Sequence, residues 1–195
     1  MTAWRCGSEN KMGDYFELAE AIRAGERPLV FDYAGQTYPD FIRRGNAMSF
    51  ILPAASHFCQ GNGLDIGPGD HPFPGAWPID IKDKMNQASM AHGLDAMHLP
   101  DGEFDYIFSS HCLEHVCDPI GALQHWKEHL KSGGVLFLYL PHPDMVYWRP
   151  QFNRKHLHSW SPEQIHEILE DIGFREVIQT ERDFYYSFAT VGFKP

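Results

Sequence analysis

The stretch from residue 104 to residue 140 constrains the fold more tightly than any other part of the chain. FDYIFS (residues 104–109) and VLFLYL (residues 135–140) are short apolar runs bounded by polar residues, and they read as buried strands. The segment between them carries helix signals at both ends. Asp118 is a candidate N-cap, Pro119 suits the first helical position, and Gly133–Gly134 offers a stop. Ile120, Leu123, Trp126 or the stem of Lys127, and Leu130 fall on the predicted inner face. Buried strands joined by a helix of this kind point to a mostly parallel α/β sheet.

The alternation continues in both directions. Residues 63–66 and 77–81 read as two earlier strands, and residues 88–93 as a weaker third. Downstream, Ser161-Pro162-Glu163-Gln164 opens a helix with a capping-box pattern. Ile165, Ile168, Leu169 and Ile172 follow at helical spacing, and Gly173 stops it. Residues 176–180 and 188–193 lie close enough in sequence to pair antiparallel at one sheet edge. The first sixty residues read helical. Phe16, Ala19 and Ile22 share a face with Gly25 as a stop, and residues 38–58 form a second apolar stretch that Gly45 and Pro53 kink or divide. The expected architecture is a seven-stranded, doubly wound sheet ending in an antiparallel hairpin, with helices on both faces. A helical cap covers residues 1–60, and the core covers residues 61–195. With 195 residues, no repeat and no credible linker, the chain reads as one domain.

Composition excludes several classes of function. A formal net charge of −10 argues against nucleic acid as a partner, because phosphate binding draws on a surplus of basic side chains. No run of apolar residues is long enough to span a membrane, and the first thirty residues lack the basic head and apolar core of a secretory signal. A cytoplasmic location is the expectation. Cys6, Cys59, Cys112 and Cys117 form no CxxC pair, and they read as reduced, buried thiols.

In an open α/β sheet, ligands bind beyond the carboxyl ends of the strands, near the point where strand order reverses. The first core strand runs from Leu64 and Asp65 into Gly67-Pro68-Gly69, where two glycines remove side chains from a backbone that a ligand could touch. The next ends in Ile79-Asp80-Ile81, an acid able to accept hydrogen bonds from ribose hydroxyls, with Asp83 as its rival. A dinucleotide fingerprint fails here: it requires glycine where Pro72 stands, and the acid arrives about ten residues early. Only ten residues separate Gly69 from Asp80, and Pro72, Pro74 and Pro78 fill much of the interval. The usual three-turn helix does not fit there.

LDIGPG, PIDI and LDAMHLPDGEFDYIFSSHCLEHVCDPIGALQHWKEHLKSGGVLFLYLP together resemble the core of class I S-adenosylmethionine-dependent methyltransferases, a Rossmann-like fold. The likeness is greatest to the small-molecule, methyltransferase type 11-like subgroup with its "LP…FD…LEH…LK-GG" run, and it covers roughly residues 63–140. It implies S-adenosyl-L-methionine as cofactor and S-adenosyl-L-homocysteine as product. It further implies that Gly67, Pro68 and Gly69 pass under the methionine part, that Asp65 orients the loop and the ammonium group, and that Asp80 with Ile81 meets the ribose. Asp95 and Ala96 would meet the adenine edge, and Ser110 and His111 would lie beside the sulfonium. His71 stands where the family commonly has a small residue, and it is a candidate contact for the cofactor's amino-acid tail.

Methyl transfer from a sulfonium needs alignment and exclusion of water more than it needs activation. An oxygen acceptor must also lose a proton, and His111 and His142, each following a central strand, are the catalytic candidates. Glu114 and His115 could orient their loop or touch a substrate. Residues 141–160 form a long aromatic segment in which Tyr147, Trp148, Phe152 and Trp160 either wall an acceptor pocket or anchor the segment to the core. Arg149, Arg154 and Lys155 could meet an anionic acceptor. His156 and His158 form an HxH pair without a third ligand of clear spacing, so no metal is expected. The leading expectation is methylation of a small molecule, at oxygen rather than nitrogen. The alternative is a methyltransferase-like domain that binds cofactor or a protein partner without transfer.

Overall fold

A computed structural model describes residues 29–80 and 98–195, together with Glu20, Ala24 and Gly25. The expected helical face of Phe16, Ala19 and Ile22 and the weak strand at residues 88–93 lie outside the described residues.

The main sheet is built from the strands that the apolar runs mark. In chain order they are β3 (Gly63–Ile66), β4 (Trp77–Ile79), β5 (Phe104–Ser110), β6 (Leu130–Pro141), β7 (Arg175–Gln179) and β8 (Ser187–Phe193). Six strands are thus described where seven were expected, in the order β4-β3-β5-β6-β8-β7. The first four are parallel, while β8 runs antiparallel to both β6 and β7. The chain steps from β3 to β4 on one side and then to β5 on the other, so strand order reverses at β3.

Period-two alternation splits the strand side chains between two cores. Ile107, Leu136 and Leu138 face α2 (Pro119–Glu128) and α3 (Pro162–Ile172), where Leu123, Trp126, Ile165 and Leu169 are buried. Tyr106, Phe108, Phe137 and Tyr139 face α1 (Ala47–Phe58), joined by Met48, Ile51 and Leu52. Gly63 makes room for this second face, since a Cβ there would lie 2.4 Å from the Tyr106 ring. The caps form as read. The Asp118 carboxylate accepts from the Gly121 amide at 3.0 Å, and Ser161 and Gln164 complete a reciprocal box with Gly173 in the left-handed C-cap.

Four expectations are corrected. The segment before α1 is not all helical: β1 (Val30–Tyr33) and β2 (Gln36–Pro39) form an antiparallel hairpin. Ala34 and Gly35 both take positive φ, 49° and 78°, which matches the right-handed twist of the paired strands. Gly45, at φ 75°, separates the 3-10 turn Asp40–Arg44 from α1, whereas Pro53 is carried inside α1. Gly133–Gly134 does not stop α2, which ends at Glu128. Instead Gly133, at φ 77°, sits in an irregularity where β6 pairs with β5 first at Leu130 and next at Val135. Ile120, placed on the inner face of α2 by spacing, is 39% exposed. Cys59, Cys112 and Cys117 are free, but only Cys59 of these is fully buried and Cys117 is exposed, while Cys6 lies outside the described residues. No helix among the described residues is long and apolar enough to cross a membrane.

Candidate functional site

At the carboxyl ends of β3 and β5, beside the reversal point, lies a cleft of about 300 Å³. Its walls are the turn after β3 (Gly67, Pro68, Asp70, His71), the end of β5 (Ser110, His111), and Gly45, Ala47 and Met48 at the start of α1. Five of the residues singled out from sequence, Gly67, Pro68, His71, Ser110 and His111, therefore converge from two segments about forty residues apart.

Gly67 is needed for a reason the sequence did not reveal. It takes φ 75°, and a Cβ there would meet Cys112 Sγ at 2.4 Å. The glycine lets the loop after β5 close against the turn after β3, so it joins the two walls of the cleft. Its amide donates to Ile79 O at 2.8 Å, while the Gly69 amide donates to Asp80 Oδ2 at 2.8 Å. Asp80 thus holds the glycine turn to the end of β4. Asp65 is buried beneath the turn and accepts from the Phe73 amide at 2.6 Å. Residues 67–76 form turns and bends without a helix, as the prolines require. Phe73 fills the space below, 4% exposed, with its ring 4.7 Å from that of Phe108. Ile81, Asp83, Asp95 and Ala96 lie outside the described residues.

His111 leaves β5 at φ 51°, a sharp turn that aims its ring away from the strand direction. Its Nε2 lies 2.8 Å from Ser187 Oγ, and its Nδ1 lies 3.7 Å from Glu114 Oε1. Burial, reinforced by His156 and His115, holds its pKa down at about 3. The ring is therefore neutral at physiological pH, a hydrogen-bonding wall rather than a strong proton acceptor. Asp183 supports it from behind, accepting the Ser187 and Tyr185 amides at 3.0 and 2.9 Å. Sequence reading missed Ser187 and Asp183. They lie on and before the last strand, and only the placement of β8 against β6 brings them under His111.

His142 is not among the residues lining the cleft. Its Nδ1 accepts from the Asp144 amide at 3.2 Å in the turn after β6, and burial lowers its pKa. Along the 141–160 segment, Trp148 packs 4.9 Å from His111. The other aromatics anchor the segment: Tyr147 and Phe152 sit on Tyr33, and Trp160 stacks on His158. Arg149 donates to Pro143 O within the segment.

The donor set suits a cationic, hydroxyl-bearing ligand. Asp65, Asp70 and Asp80 surround the glycine turn, and no lysine or arginine lines the cleft among the described residues. The missing helix also removes the N-terminal amides that would receive a phosphate.

Comparison with known proteins agrees with this geometry. A family model described as a methyltransferase domain matches residues 42–180. A search of curated proteins gives no match by sequence. Among solved structures, a SAM-dependent methyltransferase from Archaeoglobus fulgidus is similar in fold, with a TM-score of 0.59 at 17% identity over 93% of this chain and 100% of that one. The N-methyltransferase NodS from Bradyrhizobium japonicum, in complex with S-adenosyl-L-homocysteine, gives 0.55 at 17% identity over 79% and 88%. The phosphoethanolamine N-methyltransferase 2 of Haemonchus contortus, in complex with S-adenosyl-L-methionine, gives 0.55 at 15% over 74% and 52%.

Proposed function

Since this chain belongs to the methyltransferase domain family, of the class I, S-adenosylmethionine-dependent type, we propose that the cleft between the β3 and β5 ends carries the cofactor's methionine part and receives a small-molecule acceptor. The observation that supports this most directly is the makeup of the cleft: a glycine turn with Asp70 on its wall and Asp65 and Asp80 bonded to the turn, and no lysine or arginine among the described lining residues. Such surroundings favour a sulfonium and an ammonium over the pyrophosphate of a dinucleotide.

When bound, the cofactor supplies an activated methyl group. The chain's own part is positional. Asp80 stands at the end of β4 to meet the ribose while steadying Gly69. Ser110 and the neutral His111 form the wall beside the reacting centre, and Met48 and Ala47 cover it from α1. An oxygen acceptor fits this wall when it gives up its proton readily, as a phenol or a carboxylic acid does, because His111 binds a proton weakly. A cytoplasmic location fits a soluble reaction of this kind.

Titration calorimetry tests the reading. S-adenosylmethionine and S-adenosylhomocysteine should bind, NAD should not, and Asp80→Ala should weaken both sulfur ligands by about 10- to 100-fold, the worth of hydrogen bonds to a charged group. Absence of heat from both sulfur ligands would overturn the assignment. A radiolabelled methyl donor offered with phenols, carboxylic acids and amines then separates the acceptor classes. Tight binding without transfer to any of them would favour a binding domain instead of an enzyme.

A further inference from the structure

Behind His111, outside the cleft, three metal-ligating side chains converge. Glu114 follows β5 in the short 3-10 turn Leu113–His115, and it is 1% exposed. Both of its carboxylate oxygens are buried without a hydrogen-bond partner, and so is Nδ1 of His156, from the 141–160 segment. His115 completes the group. One ligating atom from each of the three lies within 4.8 Å of the others.

The tautomer of His115 follows from its neighbour. Its Nδ1 is 2.6 Å from the Lys155 carbonyl, which can only accept, so Nδ1 carries the proton and Nε2 presents a lone pair. That Nε2 lies 3.8 Å from Glu114 Oε1. A backbone carbonyl fixing the far nitrogen of an imidazole is the arrangement that orients histidine ligands toward a metal. Without an ion, a carboxyl group is buried beside two imidazoles with its oxygens unbonded, an expensive arrangement that a cation would relieve.

We propose that Glu114, His115 and His156 bind one divalent transition-metal ion of the zinc class. Two imidazoles and one carboxylate are borderline ligands that favour zinc, cobalt or nickel over magnesium or calcium, which prefer an all-oxygen shell. Tetrahedral bonds of about 2.0–2.1 Å place ligand atoms roughly 3.4 Å apart, so the group, whose ligating atoms lie within 4.8 Å of one another, contracts on binding. The His115 side chain is 32% exposed and marks the path of entry.

The ion is a latch rather than a reactant. It ties the turn after β5 to residues 153–158, beside the existing Leu157 amide bond to Glu114 O at 2.8 Å. The latch thereby steadies His111 and Trp148, which pack against each other at the cleft. Sequence analysis expected no metal because the HxH pair lacked a third ligand. The fold supplies two from some forty residues upstream, while His158 is spent on Val116 O at 2.9 Å.

The inference is independent of the proposed transfer, and its test needs no activity. Chelator-treated full chain is titrated with Zn²⁺ and with Co²⁺, followed by calorimetry, elemental analysis after dialysis and the visible spectrum of the cobalt form. One equivalent should bind, with imidazole-type cobalt absorption and a rise in melting temperature. Glu114→Gln and His115→Ala should each raise the dissociation constant by at least about 100-fold. His166→Ala, on α3, should change nothing. Circular dichroism of both apo variants checks that they fold, and the exposed His115 position keeps the test open if Glu114→Gln does not. Failure of the wild-type chain to retain an equivalent would overturn the proposal. Retention unchanged in His115→Ala would do the same, as would equal binding of Mg²⁺ or Ca²⁺.

Discussion

Two crossings of the sheet meet at the same cleft and are held together by opposite means. From β5 to β6 the chain passes through α2, whose backbone bonds are local and whose entry is set by Asp118 and Pro119. From β3 to β4 it passes through residues 67–76, which have no helical ladder. That loop is fixed from outside itself, by Phe73 in the core, Asp65 on the Phe73 amide and Asp80 on the Gly69 amide. A helix carries its own bonding pattern wherever it packs; a proline-rich loop borrows its shape from the sheet beneath it. The second design leaves the turn after β3 without the dipole of a following helix, and with Asp65, Asp70 and Asp80 around it instead.

This contrast is breakable by mutation, most severely at Phe73. Phe73→Ala should cost about 3–5 kcal/mol, the usual range for a buried phenylalanine, read as a lowered urea midpoint. It should also abolish ligand heat at the cleft, because the turn above it loses its anchor. Gly67→Ala should cost about 2–3 kcal/mol, from the left-handed backbone and the clash with Cys112. Adding Cys112→Gly, which removes both the Sγ and the Cβ that an alanine at 67 would meet, should restore only the steric part, and full recovery would show that backbone conformation contributes nothing. On the helical side, Asp118→Ala should cost about 1 kcal/mol, the loss of one N-cap, with ligand binding kept. A Phe73→Ala penalty no larger than that of Asp118→Ala would end the distinction between the two crossings.

The smallest effect lies at the opposite end of the same strands. Asp105 on β5 accepts from the Asn62 amide before β3 at 2.8 Å and from Lys131 Nζ on β6 at 2.7 Å. The Lys131 hydrogen bond, then that of Asn62, holds its pKa below the ordinary carboxylate value. A depressed folded pKa means that this contribution is complete above the unfolded value, about 3.9, and is lost as pH falls through the folded one. Because the pair is exposed, the slope should be shallow. Urea midpoints between about pH 6 and pH 3 should show it in the wild type and less of it in Lys131→Met.

Sequence and structure agree where the signal is local and disagree where it is not. The strand runs, the Asp118 cap and the Ser161 box each depend on residues within one turn or one strand, so they are legible in order. The β1–β2 hairpin was hidden because its turn, Ala34-Gly35, lacks the usual Asn-Gly or Asp-Gly signal. Gly133–Gly134 looks like a helix stop in one dimension, but Lys194, on the last residues of the chain, exchanges backbone bonds with both glycines and draws them into the sheet.

By itself, the sequence determined the α/β alternation, the absence of a helix after Gly69, and which strand ends carry Gly67, Asp80 and His111. Those are consequences of periodicity, proline chemistry and turn geometry, which act over a few residues. The tertiary structure alone decided which strand ends are neighbours and how each side chain is spent. It set Gly67 against Cys112, Ser187 beneath His111, Met48 over the cleft, and Glu114 and His115 beside His156. Each of these meetings joins residues far apart in the chain. Their burial, and with it the neutral state of His111, follows from the packing of whole elements against one another.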